Sequence, residues 1–146
     1  VDELNAALGL ARALNRAQEL GADLLAIQHD LVIVMGELAT GVDDLERYVK
    51  AGFHRVSTDH VGRLDQIVNR LEAQQITFDG WATPGATPAA AALDVARTTC
   101  RRAERRIVAL HESGQLSNDT IIVFMNRLSD LLWLMARWVE THPEAG

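Results

Sequence analysis

Two apolar repeats in the second half of the chain constrain its fold more than any other feature. In each repeat, apolar residues follow one another at spacings of three and four, which is typical of a helix that buries one side. Thr87 and Pro88 predict the start of the first helix, and Ser117 predicts the start of the second. Because the connection is short, we expect the two helices to be antiparallel. The repeats are Leu93, Ala96, Cys100, Ala103, Ile107 and Leu110, then Ile121, Phe124, Leu128, Leu131, Met135 and Trp138.

The first half of the chain predicts three more helices. Residues 2–19 form an amphipathic pattern, and residues 24–38 are apolar almost all round, which predicts either a helix enclosed by neighbours or a buried strand. Ser57 offers a cap for a third helix that continues to about Gln75. Residues 39–56 are expected to be a connector with a short helical turn near residues 45–49. Residues 76–87 contain Gly80, Pro84 and Gly85 and predict a loop.

Length and composition place these helices in one domain. The chain has 146 residues, of which 48% are apolar and only 5% aromatic, a bias that favours helices over β-sandwiches. A chain of this length usually builds one hydrophobic core. We therefore expect residues 1–146 to form a single all-α domain, a five-helix up-and-down bundle.

Charge and cysteine content exclude several classes of protein. A formal net charge of -6 disfavours a general nucleic-acid binder, because neutralising phosphates requires an excess of Lys and Arg. One cysteine cannot form a disulfide within the chain, and no apolar run reaches the ~20 residues that span a bilayer. The sequence indicates a soluble protein of a reducing compartment, the cytoplasm, with no membrane partner.

The strongest chemical signal is an arginine-rich segment in the fourth helix. Residues 97–106 contain five arginines and one acid in an otherwise acidic protein. Arg97, Arg101 and Glu104 share one helical face beside the apolar repeat. Such a face can bind a polyphosphate through forked hydrogen bonds. The alternative is a solvated basic stripe paired with acids on neighbouring helices.

The fifth helix carries a second polar face. Asn126, Asp130, Trp133 and Arg137 are predicted to lie on one side, turned away from the apolar repeat. Polar groups beside a tryptophan indicate a contact surface. Both a subunit interface and a ligand site explain that pattern.

The sequence resembles the PduO-type ATP:cob(I)alamin adenosyltransferases over nearly its whole length. Residues 97–106 resemble the arginine-rich signature of that family, and residues 126–130 look like its C-terminal signature. Residues 1–5 and 27–31 also match family positions. The resemblance implies a homotrimer of five-helix bundles with active sites between subunits. It implies transfer of the adenosyl group of ATP to the Co(I) centre of cobalamin or a related corrinoid, with release of tripolyphosphate.

The resemblance also implies roles for individual residues. Arg97 would pair with Asp2, and with Arg101 these residues would form the catalytic set, while Mg²⁺ would share the phosphate charge. Guanidinium groups can stabilise a leaving tripolyphosphate. No side chain is assigned to a metal. The residues expected to hold or organise ATP are Arg101, Arg102, Glu104, Arg105 and Asn126.

Trp81 is expected at the corrinoid. In the family, an aromatic side chain before a Pro-Gly turn shields the lower corrin face, and Trp81 precedes Pro84 and Gly85 here. The usual residue is phenylalanine, so the larger indole would alter which corrinoid is accepted. From the residues alone, the favoured interpretation is an anchor over the core, which is the usual role of a single tryptophan in such a loop.

One departure from the family pattern supports an alternative function. The family carries a Thr-Gly-Asp-type loop that wraps the ATP phosphates, and nothing like it precedes Val1. We expect the full-length gene product to contain that segment. A chain without it would suit a non-catalytic corrinoid or nucleotide carrier. An enzyme would instead have a reductase and an adenosylcobalamin-dependent acceptor enzyme as partners.

Metal and thiol chemistry have little support in the sequence. A ferritin-like di-metal bundle requires Glu-x-x-His pairs, and the sequence contains none. The five histidines are scattered singly, so we expect surface or structural roles for them. Cys100 lies in the first apolar repeat, and we expect it to pack in the core.

Overall fold

The computed structural model describes residues 1–76 and 82–146, and all regular structure in that part of the chain is helical. This confirms the expected all-α class and the five long helices, to which a short sixth is added. Two 3₁₀ turns, Val42–Asp44 and Pro143–Ala145, complete the elements. The helices are α1 (Asp2–Leu14), α2 (Gln18–Leu38), α3 (Leu45–Lys50), α4 (Thr58–Glu72), α5 (Pro88–Glu112) and α6 (Thr120–Thr141).

Helix α5 is central to the bundle. It packs against both α6 and α1, while α4 lies on α6 and α2 lies on α1. The two apolar repeats form most of this contact: Leu93, Cys100, Phe124 and Leu128 have no exposed surface, and Ile107 is 4% exposed. The periodicity of the sequence therefore identifies the buried faces of α5 and α6 correctly.

The predicted boundary between the first two helices is wrong. The chain leaves helical conformation at Asn15, and α2 begins at Gln18. The Asn15 side chain explains the break, because its amide donates to the carbonyl of Ala17 (2.7 Å) and its Oδ1 accepts from the Ala17 N–H (3.1 Å). Asparagine competes in this way with the helical hydrogen bonds of its own backbone.

Helix α2 is less enclosed than its composition predicts. Leu24, Ile27 and Leu31 are buried, but Leu25 is 37% exposed and Val32 is 56% exposed. One side of this apolar helix thus faces solvent in the single chain. The connector that follows contains the expected short helical segment, α3.

The helix caps differ in how well the sequence predicts them. Thr87 caps α5 as expected, since its hydroxyl accepts from the Ala90 N–H at 3.1 Å, although the helix predicted to reach Gln75 ends at Glu72. Ser117 is not the cap of α6, which begins at Thr120. There the Asn118 side chain accepts from the Thr120 N–H at 3.2 Å and takes the role predicted for the serine.

Across the described residues, no single helix is both long and apolar enough to cross a membrane. One pair of segments in that part of the chain meets those criteria together, by length and composition only: α2 and Val42–Lys50. The two segments are bent by 103° relative to one another.

Candidate functional site

The arginine-rich segment forms one surface of α5, which we name the arginine face: Arg101, Glu104, Arg105 and Val108. These residues recur at helical spacing and line a cavity of about 240 Å³. Both arginines are exposed, and Glu104 is half-buried. The structure thus brings together three of the residues predicted to bind ATP.

Helix α6 contributes Asn126 to this face. Its side-chain amide donates to Oε1 of Glu104 at 3.2 Å, which joins the two signature segments across the α5 and α6 contact. The adjacent repeats place the two helices in register, so residues 22 positions apart meet. The predicted proximity of Asn126 to the arginine segment is therefore present in the structure.

The charge of the arginine face is largely uncompensated. Within residues 1–76 and 82–146, Arg101 and Arg105 form no ion pair. Two cations a single helical turn apart beside one acid favour a bound anion, and guanidinium groups offer forked donors that match phosphate oxygens. The two arginines can therefore bind a polyphosphate.

Arg102 lies apart from this cavity. Successive residues of a helix are about 100° apart, so its side chain projects from a different side of α5 than Arg101. It forms an ion pair with Glu3 of α1. Arg102 therefore pairs with an acid of a neighbouring helix, as the alternative interpretation of the arginine-rich segment expects. Its contact with ATP stays a prediction.

Arg97 belongs to a separate, buried charge network. Its Nε donates to Oδ1 of Asp94 at 3.2 Å, and the other Asp94 oxygen accepts from Nη2 of Arg137 at 2.6 Å. Arg137 donates to both carboxylate oxygens of Glu140, each at 3.0 Å. Its guanidinium carbon also lies 5.4 Å from the ring centroid of Trp133.

Arg137, which was predicted to belong to a contact surface on α6, is only 2% exposed in the single chain and lies in the interior instead. Two carboxylates hold this cation in the interior, and a buried charge is tolerated when it is paired and hydrogen-bonded. Asn126 and Asp130 do remain exposed, and Trp133 is half-buried. The polar face is therefore divided between a solvent-facing part and an internal part.

Among the described residues of one chain, the predicted pair of Asp2 and Arg97 is not formed. Asp2 is exposed at the start of α1, and the structure pairs Arg97 with Asp94 instead of Asp2. Trp81 lies outside the described residues. Close to it in sequence, Pro84 and Gly85 line a cavity of about 320 Å³ that also includes Arg97.

Cys100 lies behind the arginine face and is fully buried, as expected. Burial raises the pKa of its thiol to about 12, with smaller contributions from the carboxylates of Glu104 and Asp130. Its sulfur donates to the carbonyl of Met125 at 3.3 Å. The thiol is therefore a protonated packing group at neutral pH.

Comparison with known proteins identifies the family of this chain. The family model of cobalamin adenosyltransferases matches residues 1–139. The chain belongs to the cobalamin adenosyltransferase family. Its relatives include the corrinoid adenosyltransferase of Citrobacter freundii, 37% identical over 144 residues that cover 99% of this chain and 79% of the relative. The corrinoid adenosyltransferase of Bacillus subtilis is 33% identical and aligns with 100% of this chain and 74% of its own length.

Solved structures of the family share the fold. A variant PduO-type ATP:corrinoid adenosyltransferase from Lactobacillus reuteri, in complex with cobalamin and ATP, superimposes with a TM-score of 0.84 at 33% identity. The match covers 99% of this chain and 78% of that one. A second variant of that enzyme, in complex with ATP, also has a TM-score of 0.84, at 30% identity.

Sequence reasoning missed three residues that organise the charged groups: Glu3, Asp94 and Glu140. Asp94 was detectable, because it is a lone acid in the alanine-rich start of α5 and precedes Arg97 by three residues. A pair at this spacing lies on one helical face. The same spacing joins Arg137 to Glu140.

Proposed function

We propose that this chain transfers the 5′-deoxyadenosyl group of ATP to the Co(I) centre of cobalamin or a closely related corrinoid. The cobalt attacks the ribose C5′, the bond between C5′ and the triphosphate oxygen breaks, and tripolyphosphate leaves with that electron pair. The products are adenosylcobalamin and tripolyphosphate. The observation that carries the proposal is the arginine face, whose two arginines pair with no acid among the described residues, with Asn126 held at Glu104, in a chain of this family.

Arg101 and Arg105 would stabilise the charge that develops on the leaving tripolyphosphate. Fixed donors aimed at a developing negative charge contribute more than donors that must reorganise during the reaction. The helix backbone of α5 fixes the positions from which both side chains extend, one helical turn apart. Glu104, held by Asn126, would orient the nucleotide between them.

The chain also offers ligands of the type that Mg²⁺ prefers. Magnesium binds through substrate phosphates and one or two protein oxygens, and the Glu104 carboxylate lies beside the Asn126 amide. Glu104, together with phosphate oxygens and water, would hold the ion, which would neutralise part of the phosphate charge. Among the described residues no cluster of three or more acidic, histidine or cysteine side chains could hold a metal, so the phosphates of ATP would supply most of its ligands.

The proposal includes a homotrimer with active sites between subunits. Asp2 is exposed, and Arg97 uses its Nε for Asp94, so its terminal amino groups can reach an acid of another subunit. Exposed apolar side chains on α1 and α2, including Leu10 and Val32, are surfaces that subunit contact would cover. Trp81 would shield the lower face of the corrinoid.

The setting of the enzyme is part of the same proposal. We place it in the cytoplasm, where a reductase would supply Co(I) and an adenosylcobalamin-dependent enzyme would accept the product. A reducing compartment suits both the Co(I) substrate and the free thiol of Cys100.

The proposal is tested by anaerobic incubation of the full-length gene product with chemically reduced cob(I)alamin and MgATP. We expect the visible spectrum of light-sensitive adenosylcobalamin to develop. If corrinoid binds but no adenosylcobalamin forms, the chain is a carrier and the proposed transfer is wrong.

A further inference from the structure

Asp94 occupies an unusual position for a carboxylate. It lies in the alanine-rich first turns of α5, is 3% exposed, and is surrounded by the core residues of that helix. An ionised carboxylate in such a place is unfavourable unless charged partners compensate its loss of hydration. Both of its oxygens have such partners, and the two partners are on different helices.

The partner on α6 is itself immobilised. Arg137 donates to Asp94 at 2.6 Å and to both oxygens of Glu140 at 3.0 Å, and it lies against Trp133. A guanidinium group held on these sides cannot turn away from Asp94. The orientation of the Asp94 carboxylate is therefore set by α6.

The partner on α5 is Arg97, whose side chain is 22% exposed. Asp94 accepts from its Nε at 3.2 Å, which leaves both terminal amino groups for groups outside the chain. Arg97 lines the cavity of about 320 Å³ beside Pro84 and Gly85, one helical turn before Arg101. Asp94 therefore orients the Arg97 guanidinium at the edge of this cavity.

We propose that Asp94 is the positioning residue of Arg97: anchored by Arg137 and Glu140, it holds the Arg97 guanidinium in the orientation that the adenosyl transfer requires. This inference rests on the proposed function. It adds a residue that touches neither ATP nor corrinoid and that acts only through Arg97. If Asp94 contributed only to stability, its pair with Arg137 would be sufficient, and its contact with Arg97 would have no effect on the reaction.

The test is a double-mutant cycle of Asp94→Asn and Arg97→Ala, with kcat/KM for ATP measured in anaerobic cob(I)alamin assays. Asparagine keeps the size of the side chain but removes the charge that orients Arg97. We expect about a tenfold loss of kcat/KM from Asp94→Asn in the wild-type background and less than about a twofold loss in the Arg97→Ala background, because coupled residues are not additive. If Arg97→Ala has no detectable rate, the cycle uses Arg97→Lys, which keeps the charge but lacks the Nε–H that Asp94 accepts from.

The matched control is Asp23→Asn, which removes the carboxylate that pairs with Arg70 between α2 and α4. It should leave kcat/KM unchanged. If Asp94→Asn does not fold, the cycle is run with Asp94→Asn and Arg137→Gln combined, so that the buried cation is removed together with the anion. Equal losses in both Arg97 backgrounds, or no loss in either, would overturn the positioning role. An inactive wild-type protein would instead refute the proposed function.

Discussion

Glu37 and the arginine face both present acidic or basic side chains on helices, but Glu37 is buried and the two arginines are exposed. Glu37 is 1% exposed, and its carboxylate accepts from the Val56 N–H (2.7 Å), the Arg55 Nε (3.1 Å) and the Asn118 amide (3.0 and 3.2 Å). Arg101 and Arg105 are exposed and, in the part of the chain that the structure describes, have no acidic partner. The charge of Glu37 is therefore used within the fold, whereas that of the arginine face is available to a ligand.

This difference separates stability from function. Asn118 also donates to the carbonyl of Val56 at 2.9 Å, so Glu37 ties the end of α2, the residues before α4 and the residues before α6 to one point. Removing it leaves buried donors without an acceptor, which is costly. Removing Arg101 or Arg105 from the arginine face leaves no partner unsatisfied among the described residues, so we expect it to affect what binds there.

The largest expected effect is that of Arg101→Ala on adenosyl transfer. Loss of one fixed donor to a developing negative charge typically lowers a rate by about 100-fold to 1,000-fold. The free energy of unfolding should change by less than about 0.5 kcal/mol, since the side chain is exposed. Anaerobic kinetics and denaturant unfolding measure the two quantities. Arg106→Ala, on another side of α5, is the control, and near wild-type transfer by Arg101→Ala would contradict the role.

Glu37→Ala should show the reverse pattern. We expect the free energy of unfolding to fall by about 3 kcal/mol, because an N–H, an amide and a guanidinium lose their shared acceptor. Transfer per folded molecule should be unchanged. Urea unfolding measures the loss, and Glu46→Ala, which removes one partner of the exposed pair with Lys50, should change stability by less than about 0.5 kcal/mol. Equal losses in both variants would remove the distinction between the two regions.

Asn126→Ala tests the one side chain of α6 that supports the arginine face. Without the hydrogen bond from Asn126, Glu104 is free to turn toward Arg101 or Arg105 and compete with the nucleotide. We expect about a tenfold loss in kcat/KM for ATP, the equivalent of about 1.4 kcal/mol, with little loss of stability. Asn69→Ala, an exposed asparagine of α4, is the control. A loss of stability without a kinetic effect would show that Asn126 belongs to the fold and not to the site.

The sequence predicts the arginine face better than it predicts the buried charged residues. The periodicity of residues 93–110 and 121–138 determines which faces of α5 and α6 are buried, and helical spacing predicts that Arg101 and Glu104 lie together. Arg97 was predicted on the same face, but it lines a different cavity, and Arg105 takes its place beside Arg101.

The burial of Glu37, Asp94 and Arg137 could not be predicted from this periodicity, although the spacing of Asp94 and Arg97 does indicate that those two can pair. Their burial depends on partners between 18 and 81 residues distant, and single-sequence patterns assign charged residues to the surface by default.

Local side-chain chemistry explains the errors at the helix ends. The break at Asn15 arises from hydrogen bonds of one asparagine with its own backbone, and the apolar spacing continues across it without interruption. The start of α6 was displaced from Ser117 because Asn118 serves both the helix and Glu37. The roles of Trp81, Arg102 and the Asp2 pair with Arg97 stay predictions, since they depend on residues outside the described part or on a second subunit.

The smallest expected effect is a change of stability with pH, and it comes from Cys100 on the buried side of α5. Arg101 faces solvent, whereas the adjacent Cys100 is buried, and burial raises the pKa of its thiol from 9.0 to about 12. Above pH 9 the unfolded chain releases this proton and the folded chain keeps it, so rising pH favours unfolding until the folded pKa is reached.

Between pH 7.5 and pH 9.5, wild type should therefore lose about 0.8 kcal/mol more of its free energy of unfolding than Cys100→Ala, which has no thiol to titrate. Urea unfolding of both proteins at the two pH values measures this difference, and iodoacetamide at pH 8 should modify the thiol only in denaturant. The same loss in both proteins, or rapid alkylation of the native chain, would show that Cys100 is accessible. The side of α5 behind the arginine face would then be open to solvent and not part of the closed core.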